Sequence, residues 1–508
     1  MAQHLGEAPI LVDVLLTHSY HLPYDRKQVR KMQPYPPLGT LYAAALLRSK
    51  GFSVALFDSM LEGPEQGFAE ALARHRPKLV AIYEDSFNFL SKMCLTRMRQ
   101  VAFGMIEATR NYGARVVVNG SDASDHTADY LGHGASFILL GEAEATLLEL
   151  CESLSGRSAT DVEDICGLAY RRDSSSPLIR TPRRPLRRDL DGLPVPARDL
   201  FDVERYRRAW NRAHGFFSLN LVAGRGCPYR CNWCAKPIYG DSFHARAAEW
   251  VALEMRELRE RFGADHLWFA DDLFGINSRW VQEFSAQVER HRAAVPFKMQ
   301  SRADLINRQT AAALARAGCV EVWMGAESGS QKILDAMDKG IRVEQVAHAR
   351  QSLHENGIRA CYFLQFGYPG ETWSDIRETI HLVHETRPDD LGISVSYPLA
   401  GTKFHARVRE QLGEKTNWLD SEDLAMMFKG AYTSEFYRAL HDALHADVES
   451  WTAAGTWKFA LHEASRTRAV DTPSRAELWR RVEELEQTCR NPDATLLPVL
   501  AGAAVEGG

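Results

Sequence analysis

Short, nearly unbroken apolar runs alternate along the chain with segments whose apolar residues recur every three to four positions. The first runs are ILVDVLL (10–16), FSVALFD (52–58), LVAIY (79–83), RVVVNG (115–120) and SFILLG (136–141). Runs of this length fit strands buried on both faces, and the 3.6-residue period between them fits amphipathic helices. Each crossover must cover one face of the sheet, so the alternation predicts a doubly wound parallel sheet over residues 1–155, in an α/β fold. A second series follows: FSLNLVAG (217–224), HLWFAD (266–271), PFKMQSR (296–302), EVWMGAE (321–327), RACYFLQF (359–366) and DLGISVSY (390–397). With helical patterns such as AAEWVALEMRELRERF (247–262) between them, six βα units over 215–430 predict an open, six-stranded partial (β/α) barrel. Between the two series, residues 156–214 are rich in Pro, Ser and Arg and read as an extended linker. Residues 431–508 read as a helical cap on the barrel. Phe436, Tyr437, Trp451, Trp457 and Trp479 read as its core rather than as a substrate cradle, and LLPVLAGAAVEGG as a frayed end.

Charge and cysteine usage narrow the classes of function. The 508 residues carry 61 Lys and Arg against 66 Asp and Glu, a net charge of -5, which gives no basic footprint for nucleic acid or an anionic membrane. No window approaches the ~20 apolar residues of a transmembrane segment. The opening MAQHLGEAPILVDVLL lacks a basic start and is interrupted by Asp13, unlike a secretory or transit signal. Six of the nine cysteines (Cys94, Cys151, Cys166, Cys319, Cys361 and Cys489) are scattered, as expected for a reducing, cytoplasmic setting.

The other three crowd into one loop. Gly224-Arg225-Gly226-Cys227-Pro228-Tyr229-Arg230-Cys231-Asn232-Trp233-Cys234 ends the first strand of the second series. Thiolates so spaced suit an iron–sulfur cluster or zinc. A closed zinc site needs a fourth ligand, for which His244 is the stray candidate; on a four-iron cluster, three thiolates leave one iron open. Barrels of this class do their chemistry at the carboxyl ends of the strands, which draws attention to the residues there. Asp271 and Asp272 follow the second strand, where a plain N-capping turn is one reading. Gln300 and Arg302 end the third, Arg302 being suited to meet a carboxylate bidentately. Glu327-Ser328-Gly329, Phe366-Gly367-Tyr368-Pro369-Gly370-Glu371 and Tyr397-Pro398 end the last three. In the first sheet the ligand crevice lies beyond the same strand ends. There Pro37-Leu38-Gly39, Glu84-Asp85-Ser86-Phe87, Gly120-Ser121 and Gly141-Glu142 would let a flat ligand approach the backbone, or serve as ordinary turns and caps.

The Cys-x3-Cys-x2-Cys spacing, with aromatic Trp233 before its last cysteine, resembles the signature of the radical SAM enzymes. The chain resembles in particular their cobalamin-binding branch, through PPLGTLYAAALLRSKGFSVALFD (36–58), Gly141-Glu142-Ala143-Glu144 and LDGLPVPARDL (190–200). The resemblance implies that Cys227, Cys231 and Cys234 hold a 4Fe-4S cluster whose open iron chelates S-adenosylmethionine. Trp233, Asp271, Asp272, Gln300, Arg302, Glu327, Ser328, Gly367, Glu371 and Tyr397 would then surround that cofactor, with Asp271 and Asp272 at its ammonium, Glu327 and Ser328 at its ribose and Tyr397 near its adenine. It also implies cobalamin on the first domain, at Pro37, Leu38, Gly39, Asp85, Ser86, Phe87, Gly120, Ser121, Gly141 and Glu142. An Asp-x-His-x-x-Gly motif is absent, since Asp125 and His126 are adjacent, so cobalamin without a histidine below the metal is expected. His18 and His21 either approach the corrin or are ordinary surface groups. The implied reaction is methylation of an unactivated carbon of a small or lipid-like metabolite by a deoxyadenosyl radical and methylcobalamin, with flavodoxin or ferredoxin as one-electron donor. A cyclase or rearrangement enzyme with the same cofactors is an alternative, and a non-enzymatic cobalamin or iron–sulfur redox protein another.

Overall fold

The computed structural model describes residues 11–62, 64–414, 417–452, 459 and 473–491. Ile10, Trp457 and the segment 496–508, expected to be a strand start, a core aromatic and a frayed end, lie outside the described residues. The chain forms two compact units: residues 1–215, 236–244 and 417–422 make the first, and residues 216–235, 245–416 and 423–508 the second.

The first unit is built on a seven-stranded sheet of β1 (Val14–Thr17), β2 (Val54–Phe57), β3 (Leu79–Tyr83), β4 (Arg115–Asn119), β5 (Phe137–Leu139), β6 (Leu168–Tyr170) and β7 (Ile179–Arg180), in the order β2-β1-β3-β4-β5-β6-β7. β1 to β5 are parallel, Val14 lying beside both Val54 and Leu79. Every residue of β1 and β3 is buried, because successive side chains point to opposite faces and helices cover both. Val14, Leu16, Leu79 and Ala81 enter one core, while Leu15, Val80 and Ile82 enter the other. With β1 between β2 and β3, the chain turns to opposite sides of the sheet after β1 and after β3. That reversal opens a crevice at their carboxyl ends.

Residues 156–214 are not the extended linker that their composition predicts. β6 and β7 lie within them and continue the sheet in antiparallel pairing, Leu168 opposite Leu139. Ile165, Leu168, Tyr170 and Ala197 join the core of the first unit. The helix Val203–His214 buries Tyr206 and Trp210, and the Trp210 indole donates to the carbonyl of Pro34 at 2.6 Å. Strands of three and two residues are too short for alternation to reveal them.

The second unit carries β8 (Ser218–Leu221), β9 (His266–Phe269), β10 (Phe297–Ser301), β11 (Cys319–Glu327), β12 (Arg359–Phe366) and β13 (Asp390–Val395). All six are parallel neighbours in chain order, with helices such as Ala248–Glu260, Ser278–Arg290 and Trp373–Thr386 in the crossovers. This is the expected six-stranded βα series. After it come the helices Ser434–Thr452 and Arg475–Thr488; Phe436 and Tyr437 of the first are buried. Trp451 and Trp479 are half-buried, the Trp479 indole donating to Asp447 at 3.0 Å. Among the described residues no helix is long and apolar enough to cross a membrane.

Candidate active site

At the crevice of the first unit, loops from three strand ends are tied together by carboxylates. The helix Leu38–Ser49 starts after Pro37 without a side-chain cap of its own. Asp85, after β3, supplies one: its carboxylate accepts from Gly39 N at 2.9 Å and from Phe87 N at 3.2 Å. Burial pushes the Asp85 carboxyl upward, against those backbone hydrogen bonds. A Cβ on Gly39 would stand 3.2 Å from Ser86 N, so Pro37, Leu38 and Gly39 meet Asp85, Ser86 and Phe87 at close quarters. Glu84 accepts from Ser19 N at 3.1 and 3.2 Å, and its side chain lies against Gly120. Ser121 is buried at the start of a short helix. Gly141 is tied to Asn119, whose amide donates to its carbonyl at 3.3 Å. Glu142 turns to the 156–214 segment, where it accepts from Arg187 N at 2.7 Å.

His18 and His21 are not surface groups. His18 is 1% exposed and donates to Asp58 at 3.0 Å, and Asp58 also accepts from the Tyr206 hydroxyl at 2.7 Å. Burial alone would lower the His18 pKa, but the hydrogen bond and charge of Asp58 outweigh it and raise it. Burial likewise works against the Asp58 carboxylate, and His18 more than offsets it, so both partners favour the ion pair. His21 directs Nδ1 at the carbonyl of Glu62 at 3.0 Å, which makes Nδ1 the protonated nitrogen, and burial lowers its pKa to about 4. Its Nε2 is buried with no partner among the described residues. Tyr239 escaped the sequence reading altogether. It stacks on Phe87 with ring centroids 5.2 Å apart and shares a 2.7 Å hydrogen bond with Ser86. No local signal marks it, because it comes from the 236–244 segment, 153 positions from Ser86.

In the second unit, Cys227, Cys231 and Cys234 are partly exposed and in no disulfide, on an irregular loop after β8. Asn232 holds that loop: its N and Nδ2 donate to the carbonyls of Met337 and Ala336 at 3.0 and 2.8 Å, and its Oδ1 accepts from the Tyr368 hydroxyl at 2.8 Å. The indole nitrogen of Trp233 is a buried donor with no acceptor among the described residues. Among those residues, no three His, Cys, Asp or Glu side chains form a group spaced to share one metal ion. The donor chemistry, three soft thiols on one short loop, fits an iron–sulfur cluster and supplies no fourth ligand for a closed zinc site.

The neighbouring strand ends are strongly engaged within the chain. Asp271 accepts from Ala223 N at 3.0 Å and from Gly224 N at 2.6 Å, fixing the backbone that leads into the cysteine loop; burial raises its pKa to about 7. Asp272 beside it is half-buried, as is Gln300 in β10, whose carbonyl accepts from Phe274 N at 2.9 Å. The carboxylate that Arg302 meets is its own chain's Asp304, at 2.9 and 3.2 Å. Glu327 sits at φ +60°, a left-handed conformation that costs a non-glycine residue about 1 kcal/mol or more. Its carboxylate pairs with the buried Lys339 ammonium at 2.7 Å. Ser328 shares a 3.1 Å hydrogen bond with Thr379, and Gly329 packs so closely that a Cβ would stand 2.4 Å from the carbonyl of Glu378. Gly367 is at φ +76°, and its N–H donates to Glu371 at 2.7 Å. The other Glu371 oxygen is buried without a hydrogen bond among the described residues, beside Tyr437, and burial raises this carboxyl to about 8. Tyr397 is buried just beyond β13. Lys339 and Tyr229 were missed because their partners are set by tertiary contact, and Asp304 because its meeting with Arg302 depends on the turn after β10.

Residues 221–383 match the Radical SAM superfamily model. An uncharacterized methyltransferase of Pyrococcus horikoshii is 25% identical, the match covering 79% of this chain and 88% of the relative. An anaerobic magnesium-protoporphyrin IX monomethyl ester cyclase of Rubrivivax gelatinosus is 25% identical over 56% of this chain and 50% of the relative. Among solved structures, the radical S-adenosylmethionine methyltransferase TsrM from Kitasatospora setae, with cobalamin and a [4Fe-4S] cluster bound, superposes with a TM-score of 0.65 at 20% identity. That match covers 78% of this chain and 74% of TsrM. The three-cysteine loop thus lies in a radical SAM domain, and the chain carries the fold of the cobalamin-binding radical SAM enzymes.

Proposed function

We propose that this radical SAM enzyme is a cobalamin-dependent C-methyltransferase acting on an unactivated carbon of a small or lipid-like metabolite. The observation that carries the reading is the pairing, in one chain, of a three-thiol loop at the end of β8 with a switch-point crevice at the ends of β1 and β3. Cys227, Cys231 and Cys234 would hold a 4Fe-4S cluster, and the ends of β9 to β13 would surround S-adenosylmethionine. The crevice residues Pro37 to Gly39, Asp85 to Phe87, Gly120, Ser121, Gly141 and Glu142 would hold cobalamin. When bound, these groups supply a 5′-deoxyadenosyl radical and a transferable methyl group. The chain's own part is to hold the loops. Asp271 and Asn232 fix the cysteine loop, Asp85 and Glu84 fix the crevice, and the buried strand ends exclude water. A flavodoxin- or ferredoxin-class donor would deliver the electron, and nine cysteines outside any disulfide suit a reducing cytoplasm.

The test is product analysis on anaerobically reconstituted enzyme. Methyl transfer yields both S-adenosylhomocysteine and 5′-deoxyadenosine; a ring-forming reaction of the cyclase kind yields 5′-deoxyadenosine without S-adenosylhomocysteine. Neither product would sink both. The variant with Cys227, Cys231 and Cys234 all changed to Ala should retain no iron or sulfide, and full retention would move the cluster elsewhere.

A further inference from the structure

Arg302 follows β10 and is 4% exposed, so each of its N–H groups must find a partner inside the protein. Nε and Nη2 fork onto Asp304, and Nη2 also donates to the carbonyl of Lys339 at 2.9 Å. The guanidinium plane lies over the Tyr229 ring, 3.7 Å from its centroid. Held on three sides, the group turns Nη1 toward the Cys231 sulfur, 4.0 Å away. Tyr229 itself stands between Cys227 and Cys231, so the loop that carries the thiol also carries the ring that orients the arginine.

We propose that Arg302 is a positioning residue that tunes the cluster: through Nη1 it directs positive charge and an N–H at the Cys231 thiolate and favours the reduced state. The inference rests on Cys227, Cys231 and Cys234 holding the 4Fe-4S cluster. One-electron reduction adds negative charge to such a cluster, and hydrogen bonds and charge at its sulfurs set its potential. A planar guanidinium can meet Asp304, Tyr229 and Cys231 together, which a lysine ammonium cannot. With Asp304 engaging the opposite edge of the fork, the positive end of the pair faces the sulfur.

The experiment is a redox titration of the cluster, followed by electron paramagnetic resonance, in the unsubstituted chain, Arg302→Gln and Arg302→Lys, without added S-adenosylmethionine. In Arg302→Gln the ratio of reduced to oxidised cluster at a fixed poise should fall about tenfold, equal to 59 mV for a one-electron couple. Arg302→Lys keeps the charge without the fork and should fall two- to threefold; it carries the test if Arg302→Gln loses iron. An unchanged potential in iron-replete Arg302→Lys and Arg302→Gln, with only S-adenosylmethionine binding weakened, would make Arg302 a ligand of that cofactor and overturn the inference. Iron and sulfide analysis of the unsubstituted chain separates the two ideas. A chain with no cluster defeats the underlying reading, whereas a full cluster whose potential ignores Arg302 defeats this inference alone.

Discussion

The carboxyl ends of the two parallel sheets are fastened by different chemistry. In the first unit, beside the His18–Asp58 ion pair, acidic side chains mostly cap backbone N–H groups across loops: Glu84 on Ser19, Asp85 on Gly39 and Phe87, Glu142 on Arg187. The second unit uses that device too, with Asp271 on Ala223 and Gly224 and Glu371 on Gly367. It otherwise relies on the buried Glu327–Lys339 ion pair, the Arg302–Tyr229 stack and the buried carboxyl of Glu371. A cap whose acceptor is removed frees an N–H that water or a neighbour can satisfy, but a buried ion that loses its partner has no such recourse. Tolerance to substitution should therefore differ between the two sites.

The largest expected effect is at Lys339. Lys339→Met leaves Glu327 buried and unpaired and should cost about 3–5 kcal/mol in denaturant unfolding, and adding Glu327→Gln should recover part of it. A cost below that of the Asp85 variant described below would erase the contrast. Gly329→Ala follows, because the new methyl meets the backbone at Glu378 and Thr379, which no rotamer change relieves; a loss of roughly 3 kcal/mol is expected from the same measurement.

Glu371 sharpens the contrast through pH. Its folded pKa, about 8, lies above the ordinary carboxylate value of 4.5, so the folded state binds the proton more tightly. That stabilisation is complete below the unfolded pKa and is lost as pH rises from 4.5 through 8. The folding equilibrium constant should fall about tenfold per pH unit within that window, and Glu371→Gln should flatten the slope. Equal slopes in the two proteins would place the titration elsewhere. The smallest effect belongs to the first unit: Asp85→Ala should cost about 1–2 kcal/mol, and Asp85→Asn, which keeps an acceptor for Gly39 N, less.

How far the sequence foretold this follows from the range of each interaction. Runs such as RVVVN and LVAIY are apolar because both faces of a parallel strand are covered, so the strands are legible one by one. The three cysteines are legible because all of them fall within eight residues. β6 and β7 were missed because three- and two-residue strands have no period, and the compositional linker around them misled. The capping of Gly39 by Asp85 spans 46 positions, and Glu327 finds Lys339 twelve positions on through a turn that no motif announces. Arg302 was expected to face a carboxylate at the barrel mouth; that Asp304, two residues on, occupies its fork depends on how the chain turns after β10.

The interleaving of the two units constrains how the protein can be made. The chain passes between them at 215/216, 235/236, 244/245, 416/417 and 422/423. Tyr239, which stacks on Phe87, and the 417–422 segment, where Trp418 accepts from the Thr96 backbone at 2.9 Å, emerge from the ribosome long after the first sheet. At 5–20 residues per second, a nascent chain that has finished residue 215 waits roughly 10–40 s before its first unit holds all its parts. Phe87 gains its stacking partner once residue 239 is made, but the 417–422 segment follows only after most of the second unit, so completion of the first unit is coupled to synthesis of the second, and the two cannot be exchanged between proteins as simple cassettes.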